Sequence, residues 1–197
     1  MRSLIDRFAS IVGVALAAVL LVAGGLLSWA SSFIGDQVND QLSMQGITMP
    51  TEEAIADMAT EDREALEPFA GQPLDNGPAA RAYADHYILV HMNAASDGRT
   101  YEEVSGEYVA LSDEEKATEE GQALGALRQT LFMGNTLRGL LLYGFAFATI
   151  GTIAGYASIA AFVGAGIMVV LTAAGLRHAK RLEAAEEKVD SPQVAGV

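Results

Sequence analysis

GLLLYGFAFATIGTIAGYASIAAFVGAGIMVVLTAAGL, residues 139–176, is an uncharged run of 38 residues between Arg138 and Arg177. As one helix it would be about 57 Å long, against a bilayer hydrocarbon core of about 30 Å. It is too long for one perpendicular crossing and barely long enough for two. A second uncharged run, residues 8–35 between Arg7 and Asp36, also exceeds the roughly 20 residues that a spanning helix requires. A cleaved signal peptide would have an apolar region of about 7 to 15 residues ending in an Ala-x-Ala-like site. This run ends in Trp29-Ala30-Ser31-Ser32 and reads as a retained anchor. The expected fold class is an all-α membrane protein with two transmembrane helices and a helical domain between them.

Basic flanks are held in the cytoplasm, whereas acidic residues contribute little to orientation. Arg2 and Arg7 precede the first run, and Arg177, Lys180 and Arg181 follow the second. Both termini therefore belong in the cytoplasm, with one crossing per run. A hairpin around Gly155-Tyr156-Ala157-Ser158 would instead give three crossings and export the Arg177 cluster. The expected layout is a cytoplasmic N-terminus (1–7), a first crossing (8–34) and an extracytoplasmic domain (35–138). A helical stem above the membrane (139–151), a second crossing (152–176) and a cytoplasmic tail (177–197) follow. The tail, with Glu183, Glu186, Glu187 and Pro192, reads as a helix end fading into disorder.

Residues 36–138 hold 20 acidic and 6 basic residues, a net charge of −14 against −13 for the whole chain. Such a domain does not suit nucleic acid, since it cannot neutralise phosphates. It reads as a solvated surface or as a dock for a basic partner. The chain has no cysteine, which excludes disulfides and thiolate metal sites.

The domain reads as mostly helical. A polar helical stretch starts at Met49-Pro50-Thr51 and runs to about Leu66, and Pro78 suits a first helical turn. Tyr83, Tyr87, Ile88 and Met92 fall on or near one helical face, and Ser96-Asp97-Gly98 supplies a stop. Thr100…Glu103 and Ser112…Glu115 are capping boxes that set two further helix starts. No proline occurs between Ser112 and Pro192, so one helix can run from the domain into the membrane. Gly121, Gly125, Gly134 and Gly139 weaken it by about 1 kcal/mol each relative to alanine.

Counting back 20 to 25 residues from Arg177 puts the outer boundary of the crossing near Thr152 to Tyr156. Leu140 to Phe147 then stand above the bilayer and need cover. The domain's core, Trp29, Phe33 and Ile34 of the first helix, or another protein would supply it. Positions 144, 151, 158, 165 and 172 are Gly, Gly, Ser, Ala and Thr, and Gly151 with Gly155 forms a G-x-x-x-G pair. Such a stripe lets helices pack closely in lipid, and Gly13, Ala17, Gly24 and Gly25 of the first helix are its expected mates. The candidate interaction residues are Leu140, Leu141, Tyr143, Phe145, Phe147, Gly151 and Gly155, toward other membrane subunits or a second copy.

Chemistry is sparse. Neither run holds an ionisable residue, which argues against a transporter or channel. His86 and His91 are five apart, about 140° around a helix, a poor pair of ligands. No metal, cofactor or catalytic residue is expected. An alternative is a ligand-sensing module with a pocket lined by Tyr83, Tyr87, His91 and Tyr101, and a third reading is a metal-dependent enzyme.

Gly77-Pro78, Ala82-Tyr83-Ala84-Asp85, His91, Gly98-Arg99-Thr100-Tyr101-Glu102-Glu103 and Leu127-Arg128-Gln129-Thr130-Leu131-Phe132 follow one another in a distinctive order. With Asn135-Thr136-Leu137-Arg138-Gly139-Leu140-Leu141-Leu142 and Phe145-Ala146-Phe147, this order resembles a group of small actinobacterial membrane proteins with two crossings and an outer domain. Members are often labelled aromatic ring-opening dioxygenases by automatic transfer. Such an enzyme needs His and carboxylate ligands at an open iron site, which these histidines do not supply. The resemblance implies the topology; the excess apolar helix, the small-residue stripe and the missing active site point to a larger envelope complex, for which an actinobacterial respiratory assembly is a candidate host. The expected role is a non-catalytic accessory or stabilising subunit of that complex.

Overall fold

A computed structural model describes the backbone of residues 2–190, with all side chains except those of residues 2–4, 6, 183 and 185–190. Pro192 and the side chains of Arg2, Glu183, Glu186 and Glu187 lie outside the described residues. The described chain is all-α. Helix α1 (Arg2–Ser43) has 42 residues and α8 (Glu119–Asp190) has 72, roughly 63 and 108 Å at 1.5 Å per residue. Both are long and apolar enough to cross a membrane. Helix α8 runs through Gly155–Ser158 without a break, so the hairpin alternative does not form. Between the long helices lie α2 (Glu52–Ile55), α3 (Thr60–Leu66), α4 (Gly77–Ala82), α5 (Leu89–Ser96), α6 (Tyr101–Ala110) and α7 (Asp113–Lys116). The chain divides into two compact units, one of residues up to 32 with those from 152 on, the other of residues 33–151.

The first unit is a helix pair. A Cβ placed on Gly13 would collide with Thr172, one on Gly24 with the Phe162 ring, and one on Gly155 with Ser31 Oγ. Numbers rise along α1 as they fall along α8, so the helices run antiparallel. Ser10, Ala17 and Gly24 are buried on α1, and Ser158, Ala165, Thr172 and Ala179 on α8, each series spaced by seven. A seven-residue repeat keeps one seam facing its partner along a left-handed crossing, and small residues there let the backbones approach. Of the expected mates of the stripe, Gly13 and Gly24 meet α8 and Ala17 is buried, whereas at Gly25 a Cβ would meet nothing within 4 Å. The outward faces stay apolar: Phe8, Val19, Leu26, Trp29, Ile159, Val163 and Val170 are exposed. With no charged side chain to solvate them, these faces suit hydrocarbon better than water.

The second unit packs α2–α7 around the C-terminal end of α1 and the N-terminal part of α8. Its core joins Leu42, Met49, Ile55, Leu66, Leu74, Ile88, Met92, Val104, Leu131 and Leu141. The polar stretch after Pro50 is two short helices, not one, because the chain turns between Ile55 and Thr60. Residues 47–50 and 71–74 tie together through Met49 N–H to Gln72 O (2.8 Å) and Leu74 N–H to Ile47 O (2.9 Å). Asn76 caps α4 by accepting from Ala79 N–H at 3.0 Å, with Pro78 in the first turn. Gly77 sits so close to Ala148 and the Phe145 backbone that a side chain would not fit. Asp97 (φ 53°) and Gly98 (φ 77°) adopt the left-handed conformation that ends α5. Both capping boxes form, with Glu103 accepting from Thr100 N–H and Glu115 from Ser112 N–H at 2.7 Å.

Candidate interaction surface

The stem of α8 is divided by its own helical geometry. Leu141 is fully buried in the core of the second unit, and Gly144 packs on Leu42 of α1. Phe145 is half-buried beneath the Arg81 guanidinium, 4.9 Å from its ring centroid, a cation–π contact. Leu141 is thus spent within the chain, and Phe145, of the expected interaction residues, is partly so. Gly151 is buried, and Gly155 faces Ser31 of α1 in the helix pair, so the small-residue pair serves intrachain packing. Leu140, Tyr143 and Phe147 remain 56 %, 67 % and 56 % exposed. Successive helical positions are about 100° apart, so the domain covers one face of the stem and leaves this one open.

These three residues line a groove of about 400 Å³ with Phe33, Ile34, Gln37 and Gln41 of α1 and Gln45 of the turn after it. The expected cover by the end of the first helix is therefore partial: Phe33 and Ile34 wall the groove but do not close it. Helix α1 continues as far as Ser43, beyond the 8–34 crossing expected from the sequence, and this extension carries Gln37 and Gln41. On the far side of Leu140 a second hollow, about 550 Å³, is lined by Gln129, Thr130, Phe132, Met133, Thr136 and Leu137. Phe132, Met133 and Ile150 are exposed and extend the apolar surface in both directions. Sequence reasoning missed them, although the spacing of 133, 140, 143, 147 and 150 carried the signal.

The residues of the alternative pocket do not converge. Tyr83, Tyr87 and His91 form a ladder, with ring centroids 4.9 Å and 4.3 Å apart, along a helix that widens to a π turn at Tyr83–Ile88. Tyr101 lies elsewhere, tilted on Phe132 at 5.8 Å. Burial raises the Tyr83 phenol above its ordinary pKa, and the neighbouring Tyr87 adds to this. The Ser105 hydroxyl and Arg128 lower that of Tyr101 by hydrogen bonding. His91 Nδ1 is 2.7 Å from Tyr87 O, so it is held as a donor to its own helix. None of the four lines either hollow described above.

The π turn, a feature found often at functional sites, here serves ion pairs. It carries Asp85, which accepts from Arg138 at 2.9 Å with Arg81 Nε 3.7 Å away, and His86, whose Nδ1 is 2.9 Å from Asp62. Arg138, the last charge before the long apolar run, thereby fixes α8 to the π turn. Among the described residues no three His, Asp or Glu side chains converge as a metal site requires. The surface with the most unsatisfied chemistry is thus apolar: the open face of the α8 stem.

No family model matches this chain, and neither does any curated protein or any solved structure.

Proposed function

We propose that this chain is a non-catalytic integral membrane protein that serves as an accessory or stabilising subunit of a larger envelope membrane assembly. The observation that carries the reading is the open apolar face of the α8 stem, with Leu140, Tyr143 and Phe147 exposed beside the glutamine-walled groove. Water is a poor solvent for such a face, and a contiguous one commonly marks a protein contact. Two apolar helices paired by small residues, with uncharged outward faces, support insertion into lipid. In this reading α1 and α8 each cross once, Arg7 and the Arg177 cluster lie in the cytoplasm, and the acidic domain faces outward. The resemblance over residues 75–147 agrees with that topology and suggests a respiratory assembly as host.

Gentle solubilisation and sizing of the tagged chain tests the reading. The expected result is a particle well above 20.7 kDa per copy with other membrane proteins in defined ratio. A lone monomer, or a simple dimer with nothing co-purifying, overturns it. Labelling of cysteines introduced at Ser96 and Ala185 tests the topology separately, with only the former expected to react from outside.

A further inference from the structure

We propose that the open face of the α8 stem is closed first by a second copy of this chain, α8 against α8 in parallel. This rests on the integral-membrane reading above and names the occupant of that surface.

The exposed positions Met133, Thr136, Leu140, Tyr143, Phe147 and Ile150 are spaced three, four, three, four and three residues apart. That is the a/d spacing of a two-stranded coiled coil, in which a repeat of 3.5 residues keeps one seam turned toward its partner. A helix packed on its own domain has no need to repeat the spacing on its outer side. The core side of α8 already has its own set of contacts, through Leu131, Leu141 and Gly134 against Met92.

Membrane insertion supplies the register. Two copies of one chain inserted with the same topology run parallel and at the same height, so each seam residue meets its counterpart across a two-fold axis. A different protein would have to bring a matching seam at that height. A second copy has it by construction.

Charge opposes self-contact everywhere but along this strip. Residues 36–138 hold 20 acidic and 6 basic residues, so two such domains repel over most of their surface. The seam carries no Asp, Glu, Lys, Arg or His. The nearest in sequence, Arg138, is turned to Asp85, and the groove beside the seam is walled by the neutral Gln37, Gln41 and Gln45. Like can therefore meet like along this strip, whereas a basic partner would find no acid on it. Phe132, Met133, Leu140, Tyr143, Phe147 and Ile150 are each more than half exposed, a contiguous run of large apolar side chains of the kind that interfaces cover.

The natural chain has no cysteine, so single introduced thiols report without background. Leu140→Cys, Tyr143→Cys and Phe147→Cys, each in the full chain, would be oxidised in native membranes beside Ala110→Cys, which is exposed on α6. The expected result is a disulfide-linked species of twice the chain mass from the three seam variants and not from Ala110→Cys, since a/d counterparts lie within bridging distance. Tyr143→Arg is expected to lower co-capture of two differently tagged copies at least tenfold. Seam thiols that stay monomeric, or link only to a protein of another mass, overturn the second copy. In the latter case the accessory-subunit reading stands, and if nothing co-purifies either, both fall.

Discussion

Ser158 Oγ donates a hydrogen bond of 2.8 Å to the backbone carbonyl of Gly24, across the antiparallel helix pair and away from solvent. It requires that Gly24 have no side chain, because the Phe162 ring occupies that space. Interhelical hydrogen bonds in lipid average only about 0.6 kcal/mol, since the separated helices find other partners. Close packing therefore carries more of the pairing than the bond does. Ser158→Ala is expected to cost at most about 1 kcal/mol and Gly24→Leu about 1–3 kcal/mol. Reversible unfolding in mixed micelles, followed by circular dichroism, checks the order. Equal losses would mean that the bond, and not the fit, holds the pair.

The Arg138–Asp85 pair is expected to fasten α8 to the bundle. Both side chains are about three-quarters buried, and Arg138 Nε has no hydrogen-bond partner. Removing one member leaves the other poorly solvated, although Arg81 remains near Asp85. Arg138→Met and Asp85→Asn should each destabilise by about 1–3 kcal/mol, the range for hydrogen bonds to charged groups. In a double-mutant cycle the joint variant should cost clearly less than the two losses added. Additive losses would mean that the pair is not coupled.

The two capping boxes give the outer domain an acid-sensitive element. Hydrogen bonds from Thr100 hold Glu103 below the ordinary 4.5, and those from Ser112 do the same for Glu115. A lowered folded-state pKa means that the stabilisation is complete above about 4.5 and is lost as pH falls through the lower folded value. The domain should therefore lose thermal stability below pH 4.5, and Glu103→Gln with Glu115→Gln should flatten that dependence. Thermal melts across pH 3 to 6 measure it. Thr100→Ala, which removes the cap itself, should cost about 1 kcal/mol at neutral pH.

Local signals were legible in the sequence wherever one residue type has one physical use. The uncharged runs, both capping boxes, the Asp97-Gly98 stop and the small-residue stripe all describe what the structure contains. Three things needed the third dimension. The Leu140–Phe147 stem was read as one apolar block, yet Leu141 faces the core while Tyr143 faces outward, a division set by which side α4 occupies. Tyr101 opens a different helix, α6, beyond the Asp97-Gly98 stop, so its distance from Tyr83 was set by how α6 packs and not by helical period. The polar stretch after Pro50 broke into α2 and α3 at Ala56-Asp57-Met58-Ala59, a turn with no proline or glycine to mark it in the sequence.

The glycines of α8 give a further test, because propensity and packing predict opposite outcomes for them. Each was read from the sequence as a weak point in a helix. A Cβ on Gly134 would overlap the Met92 side chain, and one on Gly125 would lie 2.9 Å from the Tyr108 ring, which Arg128 and Lys116 also approach. At Gly139, by contrast, a Cβ would meet nothing within 4 Å. Gly139→Ala should thus stabilise by up to about 1 kcal/mol, the helix-propensity gain alone. Gly134→Val and Gly125→Val should instead destabilise by about 1–3 kcal/mol, since overpacking outweighs that gain. Met92 is flexible and can yield where the Tyr108 ring cannot, so Gly125→Val should be the more damaging of the two. Denaturant unfolding of the three variants decides it: a shared sign would mean that propensity, and not contact, governs these positions.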